Sequence, residues 1–296
     1  MKILFIGTVL FSVKALEKIF DLKESVVGVV TQKSSLFHSD FSDLGEISMR
    51  RGVPVYYAKN INDNLCINWC MEKKPDVVFC FGWSQLLKKD LLNLAPRGVI
   101  GFHPALLPQN RGRHPIVWAL VLGLKKTGST FFFMDEGADS GDILSQKEIQ
   151  IDYEDNAQSL YTKITDSALH QIEEFVPQLK REQFVRIKQD LRLSNTWRKR
   201  SEIDGKIDWR LSSRSIYNLV RGLTRPYVGA HMVLESREIK VWRVRESLDH
   251  IPEHFEPGKV LSVDNTNRRF MIKCGNGAVE VIEHELKQLP KVGDYL

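Results

Sequence analysis

An α/β fold with a largely parallel sheet, followed by a small barrel-like β domain, is what this sequence predicts, on three observations. Short apolar runs bounded by turn residues alternate with helical patterns through the first half of the chain. Such alternation implies strands covered by helices on both faces. Beyond residue 200 the pattern changes to short strand-like runs separated by Asn/Gly turns, which suits a barrel of about five strands. A chain of 296 residues accommodates one large and one small domain, expected here as 1–200 and 201–296.

The runs 2–6, 25–31, 53–57, 76–81 and 99–102 read as strands. Between them, 11–22, 44–51, 60–73 and 85–92 carry apolar residues at three- and four-residue steps and read as helices. Two further strands are expected over 127–134 and 143–151, then a long helix over 156–181 with Asn156 as its N-cap. A helix over 212–223 precedes strands at 230–234, 239–243, 259–263, 269–274 and 278–282. Binding sites in open α/β sheets lie beyond the carboxyl ends of the strands, which directs attention to the loops after each strand of the first half.

Composition and spacing exclude several classes. No apolar stretch approaches the roughly 18 residues that a bilayer span needs. Lys2 and the apolar run after it imitate a secretory signal, but Gly7 and Thr8 interrupt the run and no small-residue cleavage site follows. Four cysteines, Cys66, Cys70, Cys80 and Cys274, are too few for a disulfide scaffold and fit a reducing cytoplasm. Cys66 and Cys70 have no companion His or Cys pair at ligand spacing, so no metal is expected and both thiols should face the core. The first strand ends in Gly7-Thr8-Val9-Leu10, with one glycine where a dinucleotide fingerprint needs three, and no nucleotide-hydrolysing phosphate loop occurs.

The segment from Gly98 to Asp142 carries the chemistry. A strand ends at His103, and Pro104 and Pro108 stiffen the loop that leaves it, holding an imidazole at the carboxyl edge of the sheet. Asn110-Arg111-Gly112-Arg113-His114-Pro115 follows. From Thr127 the chain passes through a strand into a Gly-rich loop bearing Asp135, Asp139 and Asp142, where a carboxylate can meet the histidine.

On these residues the sequence resembles the folate-dependent formyltransferases, which include methionyl-tRNA formyltransferases and N-formyltransferases of nucleotide-linked amino sugars. The family's pattern Asn-x-His-x-Ser-Leu-Leu-Pro, then Arg-Gly-x-x-Pro, Thr-Gly-x-Thr and Asp-x-Gly falls here on His103, Arg111-Gly112, Pro115, Thr127 to Thr130 and Asp139. The likeness runs on through Gly205-Lys-Ile-Asp-Trp-Arg and Leu219-Val-Arg-Gly-Leu-Thr-Arg-Pro to cover nearly the whole chain. It implies a Rossmann-like first domain, an OB-like second domain, 10-formyltetrahydrofolate as formyl donor and His103 and Asp139 as the catalytic pair. The donor site it implies comprises Gln85, Leu86, Leu87, Arg113 and the loop Asp135, Glu136, Gly137, Ala138 and Asp139. Amine attack on a formyl carbon needs a group to manage the proton and one to stabilise the oxyanion, and a carboxylate beside His103 would orient the ring and favour the imidazolium.

One departure stands out. Gly101 replaces the family's Asn two positions before the histidine and offers no side-chain donor. Either another group takes the role, with the backbone of 101–103, His103, Asn110 or a water as candidates, or the chain is an inactive folate-binding relative.

The acceptor is read from charge. Net charge is +5, and the stretch 176–200 holds eight basic residues against two acidic ones, a run that suits phosphate contact or a solvated helix end and linker. The loop 32–42, where the tRNA enzymes carry a basic insertion, has one Lys and one Asp. That favours a nucleotide-linked amino sugar over tRNA, with Asp40 or His38 near the acceptor, in a chain that is a monomer or a homodimer. Trp83 and Trp118 are stacking candidates, and helical spacing with Ile116 and Leu120 makes core packing the expectation for Trp118.

Overall fold

Five short apolar runs form strands β1 (Lys2–Ile6), β2 (Ser25–Thr31), β3 (Val55–Tyr57), β4 (Val77–Cys80) and β5 (Val99–His103). Helices α1 (Leu10–Asp21), α2 (Gly45–Arg50), α3 (Asn64–Glu72) and α4 (Lys89–Leu92) connect them. Then come β6 (Arg111–Gly112), α5 (Pro115–Val121), β7 (Lys126–Phe133), β8 (Ile143–Gln150), α6 (Ala157–Lys180) and β9 (Thr196–Trp197). The computed structural model describes residues 1–34, 39–247, 249, 251–252 and 254–296.

Two helices begin later than their periodicity suggests, for local reasons. Asp63 caps α3, its Oδ1 accepting from the Cys66 amide at 2.7 Å, so 60–62 stay non-helical. Gln85 spends its carboxamide on Lys59 O (2.8 Å) and the Ile61 amide (2.9 Å), while Asn62 bonds Leu86 O and the Lys88 amide. Those bonds keep 85–88 out of α4.

The chain divides into two units. The first holds Met1–Pro115, Thr127–Ile149 and Thr162–Trp197, and the second Ile116–Lys126, Gln150–Tyr161 and Arg198–Leu296. In the first, strands lie in the order β3-β2-β1-β4-β5-β7-β8. Strands β1 to β5 run parallel, and β7 is antiparallel to β5, with His103 opposite Thr130 and Gly101 opposite Phe132. The order reverses between β1 and β4, the switch point beside which such sheets bind ligands.

Alternation along the strands builds a core on each face. Leu4, Ile6, Val78 and Cys80 meet Cys66, Ile67 and Cys70 of α3, so both thiols lie in the core as expected. On the other face Phe79, Phe81 and Phe131 pack against Phe11 of α1 and Phe175 of α6. Burying each such ring stabilises the unit by about 1.5–3 kcal/mol.

The second unit holds α7 (Ser213–Leu223) and strands β10 (Ala230–Leu234), β11 (Arg237–Glu246), β12 (Val260–Asp264), β13 (Arg269–Lys273) and β14 (Ala278–His284). All five strands predicted after residue 200 form one antiparallel sheet, ordered β10-β11-β14-β13-β12. Ser212 caps α7, whose Ile216, Val220 and Leu223 join Val241, Phe270, Ile272 and Val281 in the core. Arg221, 8% exposed, donates to the carbonyls of Asp152, Tyr153 and Asp155 and pins that segment to α7. At the start of α6, Asn156 Oδ1 accepts from the Gln158 and Ser159 amides, the cap its position predicts.

Among the described residues no helix is long and apolar enough to cross a membrane, and no group of three or more His, Cys, Asp or Glu could hold a metal ion.

Candidate active site

His103 is the last residue of β5, and the loop leaving it is laced to the neighbouring strands. Thr130 Oγ1 donates to Ala105 O at 2.6 Å, and Gln146 Nε2 to Leu107 O at 2.8 Å. The imidazole is 4% exposed. Its Nε2 lies 2.7 Å from Asn110 O and its Nδ1 3.6 Å from Asp139 Oδ2. Both ring nitrogens therefore face oxygen atoms, Asn110 O within hydrogen-bond distance and Asp139 Oδ2 within ion-pair distance.

Asp139 sits in the left-handed region (φ 55°), and the Gly112 amide donates to its Oδ2 at 2.9 Å. Gly141, close by, has no room for a side chain, since a Cβ there would lie 1.7 Å from Phe133 O. The loop is fastened from an unexpected quarter. Gln189, 6% exposed, donates through Nε2 to Asp139 O (3.0 Å) and Gly141 O (2.6 Å), and its Oε1 accepts from Arg111 Nη2 at 2.6 Å. Nearby, β6 pairs with β9, and Asn195 Oδ1 accepts from the Asn110 amide at 2.8 Å.

Most of the basic stretch is exposed, as a solvated helix end and linker would be, but it also has a structural part. It carries Gln189, Asn195 and β9, the supports of the site. Several of its cations are spoken for: Lys180 pairs with Glu24, Arg192 with Asp190 and Arg198 with Asp204, while Arg186 lies 3.7 Å from the centre of the Phe133 ring. Gln189 went unmarked in the sequence because a lone Gln among basic residues has no pattern. The parallel pairing of Arg111-Gly112 with Thr196-Trp197 spans far too great a separation for local signals to report.

The structure brings together His103, Asp139 and the Arg111-Gly112 turn. Of the other predicted site residues, Leu86 is 61% exposed and Leu87, 5% exposed, belongs to the core. Gln85 is committed to the 59–61 segment as described. Arg113 Nη2 donates to Ser84 O at 3.0 Å, tying it to the same loop. Asp135 Oδ1 accepts from the Gly137 amide and Ser140 Oγ, closing a turn that leaves Asp135, Glu136, Gly137 and Ala138 exposed. Asp40 O accepts from the Leu10 amide, and His38 lies outside the described residues. Trp83 packs partly buried against the core cluster of the α3 face. Trp118 departs from the core packing expected of it: it is half-buried, with the guanidinium groups of Arg198 and Arg200 over its ring and its Nε1 donating to Arg198 O. The stack is favourable because a cation is attracted to the face of the indole.

An imidazole and a carboxylate held at ion-pair distance at the carboxyl edge of a sheet suit proton transfer and stabilisation of developing charge. Residues 1–175 match the formyl transferase family and 199–293 its C-terminal domain. The chain belongs to the formyltransferase family. Among sequence relatives, the methionyl-tRNA formyltransferase of Geotalea daltonii is 33% identical over 301 aligned positions, covering 100% of this chain and 95% of its own length. The bifunctional polymyxin resistance protein ArnA of Wigglesworthia glossinidia brevipalpis is also 33% identical, over 82% of this formyltransferase, which spans only 36% of that longer relative. Among solved structures, the N-formyltransferase of Helicobacter canadensis, in complex with folinic acid and dTDP-3-aminofucose, superposes with a TM-score of 0.74 at 18% identity, over 96% of this chain and 100% of its own. The sugar 3N-formyltransferase WlaRD gives 0.73 at 17% identity, over 98% and 99%. At such identities the structural likeness establishes the fold.

Proposed function

We propose that this formyltransferase moves the formyl group of 10-formyltetrahydrofolate onto the amine of a nucleotide-linked amino sugar. The observation carrying the formyl-transfer site is the approach of His103 to Asp139. Two observations support a small acceptor. Three cations of the basic stretch, Lys180, Arg192 and Arg198, pair with carboxylates of the protein, and the wide groove of the second unit, about 1030 Å³, is lined by four arginines against five carboxylates. A mixed-charge groove gives little of the phosphate neutralisation that tRNA binding requires.

The folate is consumed once per turnover and supplies the formyl carbon. Residues toward it are Leu86, Arg113 and the exposed turn Asp135 to Ala138, on two loops held by their own hydrogen bonds with the Leu86 side chain exposed. That fits a flat heterocycle recognised by backbone donors and covered by an apolar side chain. In the reacting complex His103 manages the proton that the attacking amine releases. Asp139, oriented by the Gly112 amide, holds the ring in place. The site works in a reducing compartment without metal in this reading.

The test is an acceptor screen with 10-formyltetrahydrofolate, a panel of nucleotide-linked amino sugars and initiator tRNA. Formylated sugar is the expected product. His103→Ala and Asp139→Asn should each lower the rate by about 10²–10⁴-fold with folding intact, and near-normal rates in either would mean that the site is misassigned. A second reading, tRNA as acceptor, is favoured by the full-length likeness to the Geotalea daltonii enzyme. It requires tRNA affinity that falls steeply with salt, and a salt-insensitive or absent shift removes it.

A further inference from the structure

We infer that the side-chain carboxamide of Asn110 is the oxyanion donor of this formyltransferase. The inference rests on the formyl-transfer reading and deepens it. As the amine forms its bond to the formyl carbon, the carbonyl π pair moves onto oxygen. On collapse the bond from that carbon to N10 of the folate breaks, and N10 takes up the proton that the amine gives away. Between the two steps an oxyanion exists that needs a preorganised N–H donor.

Position 101, on the same side of β5 as His103, cannot provide one. It is glycine, and the space beside it is taken: a Cβ there would lie 2.9 Å from Met134 Cγ and 3.0 Å from Phe132 Cζ. Other donors around the imidazole are committed. The Gly112 amide serves Asp139, Gln189 Nε2 serves Asp139 O and Gly141 O, and Gln146 Nε2 serves Leu107 O and Thr130 Oγ1. Two donors, the Trp83 indole N–H and Arg111 Nε, have no partner among the described residues, but both atoms are sealed from solvent, beyond reach of a substrate.

Asn110 is different. Its backbone is held on both sides, the amide by Asn195 Oδ1 at 2.8 Å and the carbonyl by His103 Nε2 at 2.7 Å. Its φ of 62° lies in the left-handed region, which Asn tolerates better than most residues. Half-buried against the catalytic histidine, it keeps one uncommitted polar group, a carboxamide with two N–H donors that makes no hydrogen bond among the described residues. With its backbone fixed on both sides and its carboxamide unengaged among the described residues, Asn110 has an N–H to offer to charge that appears only during reaction.

The decisive variant is Asn110→Gly, because glycine accepts the same φ and removes only the carboxamide. Expected is a fall in kcat of about 100- to 1000-fold, with KM for both substrates and the calorimetric affinity for 5-formyltetrahydrofolate unchanged within about 2-fold. Should Asn110→Gly not fold, Asn110→Asp keeps shape and φ while replacing the donor by a negative oxygen, and must lose at least as much. Wild-type kcat in the variant that folds overturns the assignment, as does a comparable loss in Trp83→Phe with Asn110→Gly unimpaired. A wild-type enzyme that formylates neither amino sugars nor tRNA overturns the functional reading together with this one, which separates the two failures.

Discussion

Gln189→Leu tests whether the site is held from behind. Leucine has nearly the volume of glutamine, so the perturbation is chemical: two carbonyls, Asp139 O and Gly141 O, lose their donor and the Arg111 guanidinium loses its acceptor. Two neutral hydrogen bonds at about 1 kcal/mol each and a charge-assisted one at about 1.5–3 kcal/mol are removed. Burial of the leucine side chain returns about 1–2 kcal/mol. A net loss of about 2–4 kcal/mol remains, which for a domain of this size lowers Tm by roughly 5–15 °C. The larger consequence is catalytic. Asp139 is a non-glycine residue at φ 55°, and without its tether the carboxylate loses the placement that puts it 3.6 Å from His103 Nδ1. Misplacement on the order of 1 Å costs about 100-fold in rate.

The assay is kcat and KM for formyl transfer across pH, paired with calorimetric Tm. Expected are a kcat lowered by about 10- to 100-fold and a pH profile resembling that of Asp139→Asn, because both changes deprive the imidazole of its carboxylate. Gln189→Glu separates the two halves of the contact: the carboxylate keeps Arg111 as partner but turns lone pairs toward Asp139 O and Gly141 O. It should recover part of the Tm lost in Gln189→Leu and none of the kcat. A Gln189→Leu enzyme that melts early yet turns over at the wild-type rate would refute the claim that Gln189 positions Asp139.

Gly101→Ala should destabilise by about 1–3 kcal/mol in denaturant titration, since its methyl group must displace Phe132 or Met134. Arg221→Met should cost at least about 2 kcal/mol, since three carbonyls in the second unit lose the guanidinium and Tyr153 O keeps the Tyr217 hydroxyl as a donor. Asn156→Ala should cost about 1 kcal/mol through loss of the N-cap of α6. The Asp204 carboxyl is held well below its usual range, first by the Arg198 guanidinium and then by Ser201. A depressed carboxyl stabilises the fold above its unfolded pKa and loses that contribution as pH falls through the folded value, so the Tm gap between wild type and Asp204→Asn should be constant from neutral pH to about 5 and narrow below about 4.

The contrast between what the sequence discloses and what it hides follows the range of the interactions. Strand β1 is legible because Ile3 to Ile6 is an apolar run closed by Gly7, and His103 with Asp139 because their motifs record a demand of chemistry on residue type. Helix α4 starts late because Gln85 and Asn62 bond across to the preceding loop, and no periodicity reports a bond between side chain and distant backbone. The same holds for membership of a core. Segment 116–126 lies between two stretches of the first unit, yet Val117 packs with Ile216, Phe270 and Val281 of the second, and its local helical pattern is the same whichever core receives it. Gln189 and Asn195 combine both kinds of concealment: each acts through side-chain bonds to backbone contributed about 50 and 85 positions away. A residue that positions a reacting group by gripping the main chain leaves no trace in the spacing of catalytic residue types. Basic stretches such as 176–200 therefore have to be tested for the neutral residue they bury before their charge is assigned to a phosphate.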